Sequence, residues 1–185
     1  MPNQSPTVLN PDDVIRFWMA SSEHWFVKNE AFDQRFKQQF EALHWQAARR
    51  ELDSWMDTNE GALALIILLD QYPRNSFRQS GHMYATDPLA LHYARRVCER
   101  QGDMQLEQAL RVFCYLPFTH SESLADQDEG VALNTRGETG EGLAFAIHHR
   151  DIIRQFGRFP HRNHILARES TPAELQFLAE GGFQG

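Results

Sequence analysis

Residues Gly61 to Tyr72 are apolar on every side for more than two helical turns, the pattern of a helix enclosed by other helices. This predicts a central helix. It closes in Asp70-Gln71-Tyr72-Pro73-Arg74-Asn75, so a carboxylate and an amide fall in the last turn of a greasy element. Left unpaired there, each would cost roughly 1–3 kcal/mol, so partners elsewhere in the chain are expected.

The other segments read as amphipathic helices around it. Asn10-Pro11-Asp12-Asp13 is a helix start with Val14, Phe17 and Trp18 on its buried face, and Asn29 caps a second helix in which Phe32, Phe36, Phe40 and Leu43 recur at helical spacing. Helical pattern continues through Ala47, Leu52, Trp55 and Met56. Asp87-Pro88 starts a helix carrying Ala90, Ala94 and Val97, and Leu106 to Leu116 is helical until Pro117 halts it. Ser121 is placed to cap an acidic helix over Glu122 to Leu133, and Asn134 to Gly142 reads as a loop. Phe145, His149, Ile152 and Phe156 share one stripe of a helix that stops at Gly157. Thr171 and Glu174 form a capping box for a short C-terminal helix.

No segment longer than four residues alternates with period two, so the fold class is all-α. Pro73, Pro117 and Pro160 each follow a hydrophobic helix, at intervals of about 44 residues, a spacing compatible with stacked helical hairpins. The chain is expected to be a single domain, 1–185, with a flexible N-terminal tail over 1–9. Its length, with 42% hydrophobic and 23% charged residues, suits one buried core.

Charge changes the picture at one place. The chain carries a net −7, which argues against broad nucleic-acid binding. Yet residues 145–170 hold four of the nine histidines and five of the sixteen arginines against two acids. The longest apolar run, Ala62 to Leu69, is far short of the roughly 20 residues that cross a bilayer. With no secretory pattern at the N-terminus and only two cysteines, Cys98 and Cys114, both in apolar helical patterns, a cytoplasmic protein with inert thiols is expected.

Three polar clusters follow the apolar helices: Asp70 to Asn75, His120-Ser121-Glu122, and His149 to Asn163. L-L-D-Q-Y-P-R-N at Leu68 to Asn75, P-F-T-H-S-E at Pro117 to Glu122 and H-R-D-I-I-R-Q-F-G-R-F-P-H-R-N at His149 to Asn163 together resemble a widespread, mainly bacterial domain-of-unknown-function family, DUF924. The resemblance runs from about Pro11 to Phe183. It implies a tetratricopeptide-like helical fold, but no activity and no catalytic residue. The family pattern has glycine before the arginine where this chain has Ala167-Arg168.

The clusters permit three chemistries. His120, Glu122, His149, Asp151, His161 and His164 are suitable metal ligands, but neither Glu-x-x-His nor His-Glu-x-x-His occurs and arginines crowd the segment, so no metal and no cofactor are expected. A hydrolase would use His149 or His120 as base, with Asp70, Glu122 or Asp151 orienting it; His149 also reads as a core histidine bonded to a carboxylate such as Asp70. An anion or peptide-terminus site would draw on Arg74, Arg158 and Arg162; these arginines also read as ties to the acidic segment Glu122 to Glu141. The leading expectation is a pocket for a small anionic ligand or peptide segment, formed by Asp70, Gln71, Arg74, Asn75, His120, Ser121, Glu122, His149, Arg158, His161, Arg162 and Asn163. A purely structural role for the same clusters is the third class.

Overall fold

The computed structural model describes residues 9–185; the tail expected over 1–9 lies outside them except for Leu9. Among the described residues the chain is all-α, without strands. The helices are α1 (Pro11–Met19), α2 (Glu30–Ala48), α3 (residues 59–76), α4 (Asp87–Glu99), α5 (Gln108–Thr119), α6 (Leu124–Arg136), α7 (Glu141–Phe156) and α8 (Pro172–Ala179). From α3 to α7 each helix packs on the next, while α1 and α2 pack on α3. Consecutive packing of this kind is compatible with stacked hairpins.

The capping signals act as expected at several starts. Asn10 and Thr171 form capping boxes with Asp13 and Glu174, and Asn29 accepts from the Phe32 N–H. Gly157 ends α7 in the left-handed conformation at φ 70°, which glycine enters without a Cβ clash. Ala167 is likewise left-handed, at φ 52°. The acidic helix starts later than expected, at Leu124: Ser121 spends its hydroxyl on Asp126 at 2.6 Å, and the capping position falls to Ser123. Asn134 belongs to α6 and Gly142 to α7, so the loop between them is shorter than the glycines suggest.

The central helix is the most enclosed element. Every residue from Gly61 to Pro73 is buried, and Ala62 to Leu69 have no exposed surface. Around it one core gathers Trp18, Phe36, Phe40, Tyr93, Phe113 and Phe118, while Ile152, Ile153 and Phe159 form a smaller cluster under the C-terminal segment.

Two prolines do not stop their helices. Pro117 lies inside α5, two residues before its end at Thr119. A helix-interior proline costs about 3 kcal/mol, offset here by burial of Phe113, Cys114, Tyr115, Leu116 and Phe118 on all sides. Pro73 is passed by a different route, a change of helical register, and that change shapes the site.

Candidate functional site

Helix α3 runs as α-helix over Asn59–Ile66, as π-helix over Ile67–Gln71 and as α-helix again over Tyr72–Ser76. The Tyr72 N–H reaches back five residues to the Ile67 carbonyl, and Pro73 has no N–H to offer, so the carbonyls near the bulge need donors from elsewhere. They receive them from side chains. His44 Nδ1–H donates to Leu68 O at 2.9 Å, the Thr86 hydroxyl to Leu69 O at 2.5 Å, Arg74 Nη1 to Asp70 O at 2.8 Å and Asn75 Nδ2 to Gln71 O at 2.9 Å. The polar cluster after the apolar run is therefore in part the completion of the helix itself.

Asp70 is carried by the π-turn and fully buried. Its Oδ1 lies 2.7 Å from His120 Nδ1 and 3.2 Å from Arg74, and its Oδ2 accepts from Gln71 Nε2 at 2.6 Å. Burial alone would raise its pKa, but Arg74 and His120 outweigh it and hold the carboxyl at about 2. An ionised carboxylate only accepts, so the His120 proton is on Nδ1. Burial, and then Arg74, push the His120 pKa down against the pull of Asp70. The result is a neutral, oriented imidazole whose Nε2 has no partner among the described residues.

Arg74 and Arg162 differ sharply in their bonding. Arg74 grips Asp87 through two bonds of 2.7 and 2.9 Å, and Asp70 and Asp87 together keep its pKa raised despite burial. Arg162, in the short 3-10 turn Pro160–Arg162, is only 6% exposed, yet its side chain makes no hydrogen bond with any described residue. Its nearest carboxylate oxygen is Asp87 Oδ2 at 3.7 Å. The guanidinium instead lies 4.5 Å from the ring centres of both Tyr84 and Phe159. Burial, followed by Arg74, lowers its pKa.

His120, Ser121, Glu122 and Arg162 line an open cavity of about 290 Å³, together with Tyr84, Asp87, Pro88, Leu91 and Pro117. Glu122 is braced at its rim, accepting from the Phe159 N–H at 2.8 Å and from Arg168 at 2.7 and 3.0 Å. These donors outweigh burial and keep its pKa low. The Ser121 hydroxyl donates to Asp126 and makes no hydrogen bond with a histidine among the described residues.

The structure brings some of the residues expected in one pocket together and sets others apart. Asp70, Arg74, His120, Glu122 and Arg162 converge, with Gln71 behind Asp70. Asn75 turns to Gln71 O and accepts from Arg78 at 3.0 Å. Arg158 pairs with Glu174 at 2.6 and 2.8 Å, and Asn163 donates to Ser170 at 3.0 Å, so both tie α8 down away from the cavity. Asp151 is exposed beside Arg150 and Arg154. His149 is a core histidine: its Nδ1–H donates to Phe145 O at 2.9 Å, not to Asp70, and burial drives its pKa to about 3. His161 is also buried against Phe159 and Phe183, its pKa about 3. Among the described residues no three His, Cys, Asp or Glu side chains are grouped as metal ligands.

Sequence reasoning missed Tyr84, Thr86 and Asp87 as site residues. Asp87-Pro88 reads as a helix start, and its second role as Arg74's partner carries no separate signal. Of Arg74, Arg158 and Arg162, which also read as ties to the segment Glu122 to Glu141, none pairs with it; Arg168 pairs with Glu122 and Arg95 with Asp126 and Glu129, while Arg150 and Arg154 lie near Asp128. The free cysteines are both buried, their thiol pKa values pushed up by burial.

The three motifs that build the cavity belong to one family. The chain matches the family described as "Bacterial protein of unknown function (DUF924)" over residues 14–182, and it is a member of that family. A solved structure, that of the protein of unknown function ATU0120 from Agrobacterium tumefaciens, is similar at 50% sequence identity and a TM-score of 0.89, covering 92% of this chain and 97% of that one. No curated protein matches the chain. No helix among the described residues is long and apolar enough to cross a membrane.

Proposed function

We propose that the cavity beside the π-turn of α3 binds a small anionic molecule. The observation that carries this is Arg162, a guanidinium only 6% exposed, lining a cavity of about 290 Å³ without a hydrogen-bond acceptor. A buried charge left without bonds costs several kcal/mol, and an anion in the cavity would supply what it lacks. The cavity has the volume of a small molecule and not of a peptide segment. The proposal takes the chain as a single cytoplasmic domain. A thermal-shift screen of carboxylates, phosphates and sulfates against wild type and Arg162→Gln tests it: at least one anion should raise the wild-type midpoint and leave the variant's unchanged.

A hydrolytic reading is favoured by a separate observation, the Asp70–His120 pair with Nε2 unpartnered. A neutral imidazole oriented by a buried carboxylate is suited to withdraw a proton from water or a ligand hydroxyl. Ser121, being engaged elsewhere, is not its nucleophile. An ester and amide panel measured with wild type and His120→Phe separates this reading from binding alone.

A further inference from the structure

We infer that the cavity takes a hydroxy-substituted monocarboxylate with a compact apolar body, its carboxylate on Arg162 and its hydroxyl on His120. This rests on the anion-binding reading above and names the ligand class for it. Three features of the cavity bear on the class.

The first is charge. Asp87 is held by Arg74 through two bonds and Glu122 by Arg168 through two, while Asp70 is shared between Arg74 and His120. Arg74 thus serves two carboxylates and Arg168 one, so three carboxylates face three arginines, and Arg162, 3.7 Å from Asp87 Oδ2, is the one whose guanidinium makes no hydrogen bond. A monoanion can take up those free N–H groups at the cost of one charge, whereas a phosphate dianion would set two beside Asp87 and Glu122. The flat guanidinium, stacked on Tyr84 and Phe159, suits the planar carboxylate.

The second is the demand made by His120. Its Nδ1–H is committed to Asp70, so Nε2 presents a lone pair. A lone pair facing a carboxylate oxygen repels it; a hydroxyl elsewhere on the ligand can donate to it. The third is the remaining wall, Pro88, Leu91 and Pro117 with the Tyr84 ring, which is largely apolar and offers no further cation. A volume near 290 Å³ limits the body to about the size of one ring or a short branched chain.

Titration calorimetry on the full chain can use mandelate, 3-phenyllactate and 4-hydroxybenzoate, which vary the distance from hydroxyl to carboxylate. Phenylacetate, mandelamide and phenyl phosphate serve as comparisons. At least one hydroxycarboxylate should bind about tenfold or more tightly than phenylacetate, mandelamide and phenyl phosphate, the effect of one charge-assisted bond. The advantage over the amide should vanish in Arg162→Gln and that over phenylacetate in His120→Phe. Because the comparison among ligands is made on wild type, it stands even if a variant fails to fold. Tighter, Arg162-dependent binding of phenyl phosphate would overturn the carboxylate assignment and keep the anion site. Equal binding with and without the hydroxyl would overturn the role given to His120. Binding of none of these anions, or binding untouched by Arg162→Gln, would overturn the site itself.

Discussion

Asp70 and His120 meet at 2.7 Å across fifty residues of chain, the carboxylate buried inside the central helix and the imidazole at the end of α5. The pair is a tertiary bond between two motifs, and it should behave as one unit. Asp70→Asn and His120→Gln are predicted to be non-additive by at least about 0.5 kcal/mol in urea unfolding, where distant sites add within a few tenths. Additive losses would show that the two side chains do not share a network.

The core itself is tested at Leu65 and Leu68, both without exposed surface. Truncation of either to alanine should cost about 2–5 kcal/mol, the usual range for a buried leucine in a packed core. Losses below about 1 kcal/mol at both would contradict the placement of α3 at the centre.

Two buried arginines that share Asp87 as a neighbour should respond in opposite ways. Arg74→Met strands Asp70 and Asp87 and is expected to destabilise by about 3–5 kcal/mol. Arg162→Met removes a buried cation that has no hydrogen bond, and the ligand-free protein should be unchanged or more stable. Paired thermal melts check this directly. Equal losses at the two sites would mean that Arg162 is structural.

Acid should unfold the protein early. His44 and His149 are held at about 4 and about 3, chiefly by burial, and His161 at about 3 for the same main reason; the His120 pKa is also lowered. Below the ordinary value of 6.5 the unfolded chain takes up protons that the native chain refuses, so stability is complete above that pH and is lost as pH falls through it. Asp70, depressed to about 2 from 3.8, extends the loss below about pH 4. Urea midpoints should fall from pH 7 to pH 5, less steeply in His44→Gln and His149→Gln. A flat profile over that range would contradict neutral burial of these rings.

Ala167 offers a gain. At φ 52° its Cβ carries the left-handed penalty of roughly 1–2 kcal/mol, partly offset by the entropy a glycine loses on folding. Ala167→Gly should stabilise by about 0.5–1 kcal/mol, read as a higher urea midpoint. A loss would show that the Ala167 methyl group packs where only solvent is expected.

Local patterns sufficed for much of the architecture. The all-α class, the enclosed Gly61 to Tyr72 helix, the caps at Asn10, Asn29 and Thr171, and the stop at Gly157 follow from periodicity and from side chains bonding within three residues of their own backbone. Such signals are complete in a short window. Prolines 73 and 117 were misleading in the same window, because a proline's cost is local while the burial and register shift that offset it are not.

The site divides along that line. Sequence alone determined that Asp70 needed partners, since a carboxylate at the end of an apolar helix cannot be left unpaired, and it marked His120 and Arg162 as residues of interest. Only the tertiary structure decided that Asp70 takes His120 and Arg74, that Arg74 takes Asp87, and that Arg158 and His149 face elsewhere. The reason is geometric: each of these contacts joins helix ends far apart in the chain, and which ends meet is set by how the helices pack. Arg162 is the clearest case. Its lack of an acceptor is not a property of its neighbours in sequence but of the space that α4, α5 and the turns beside them leave around it.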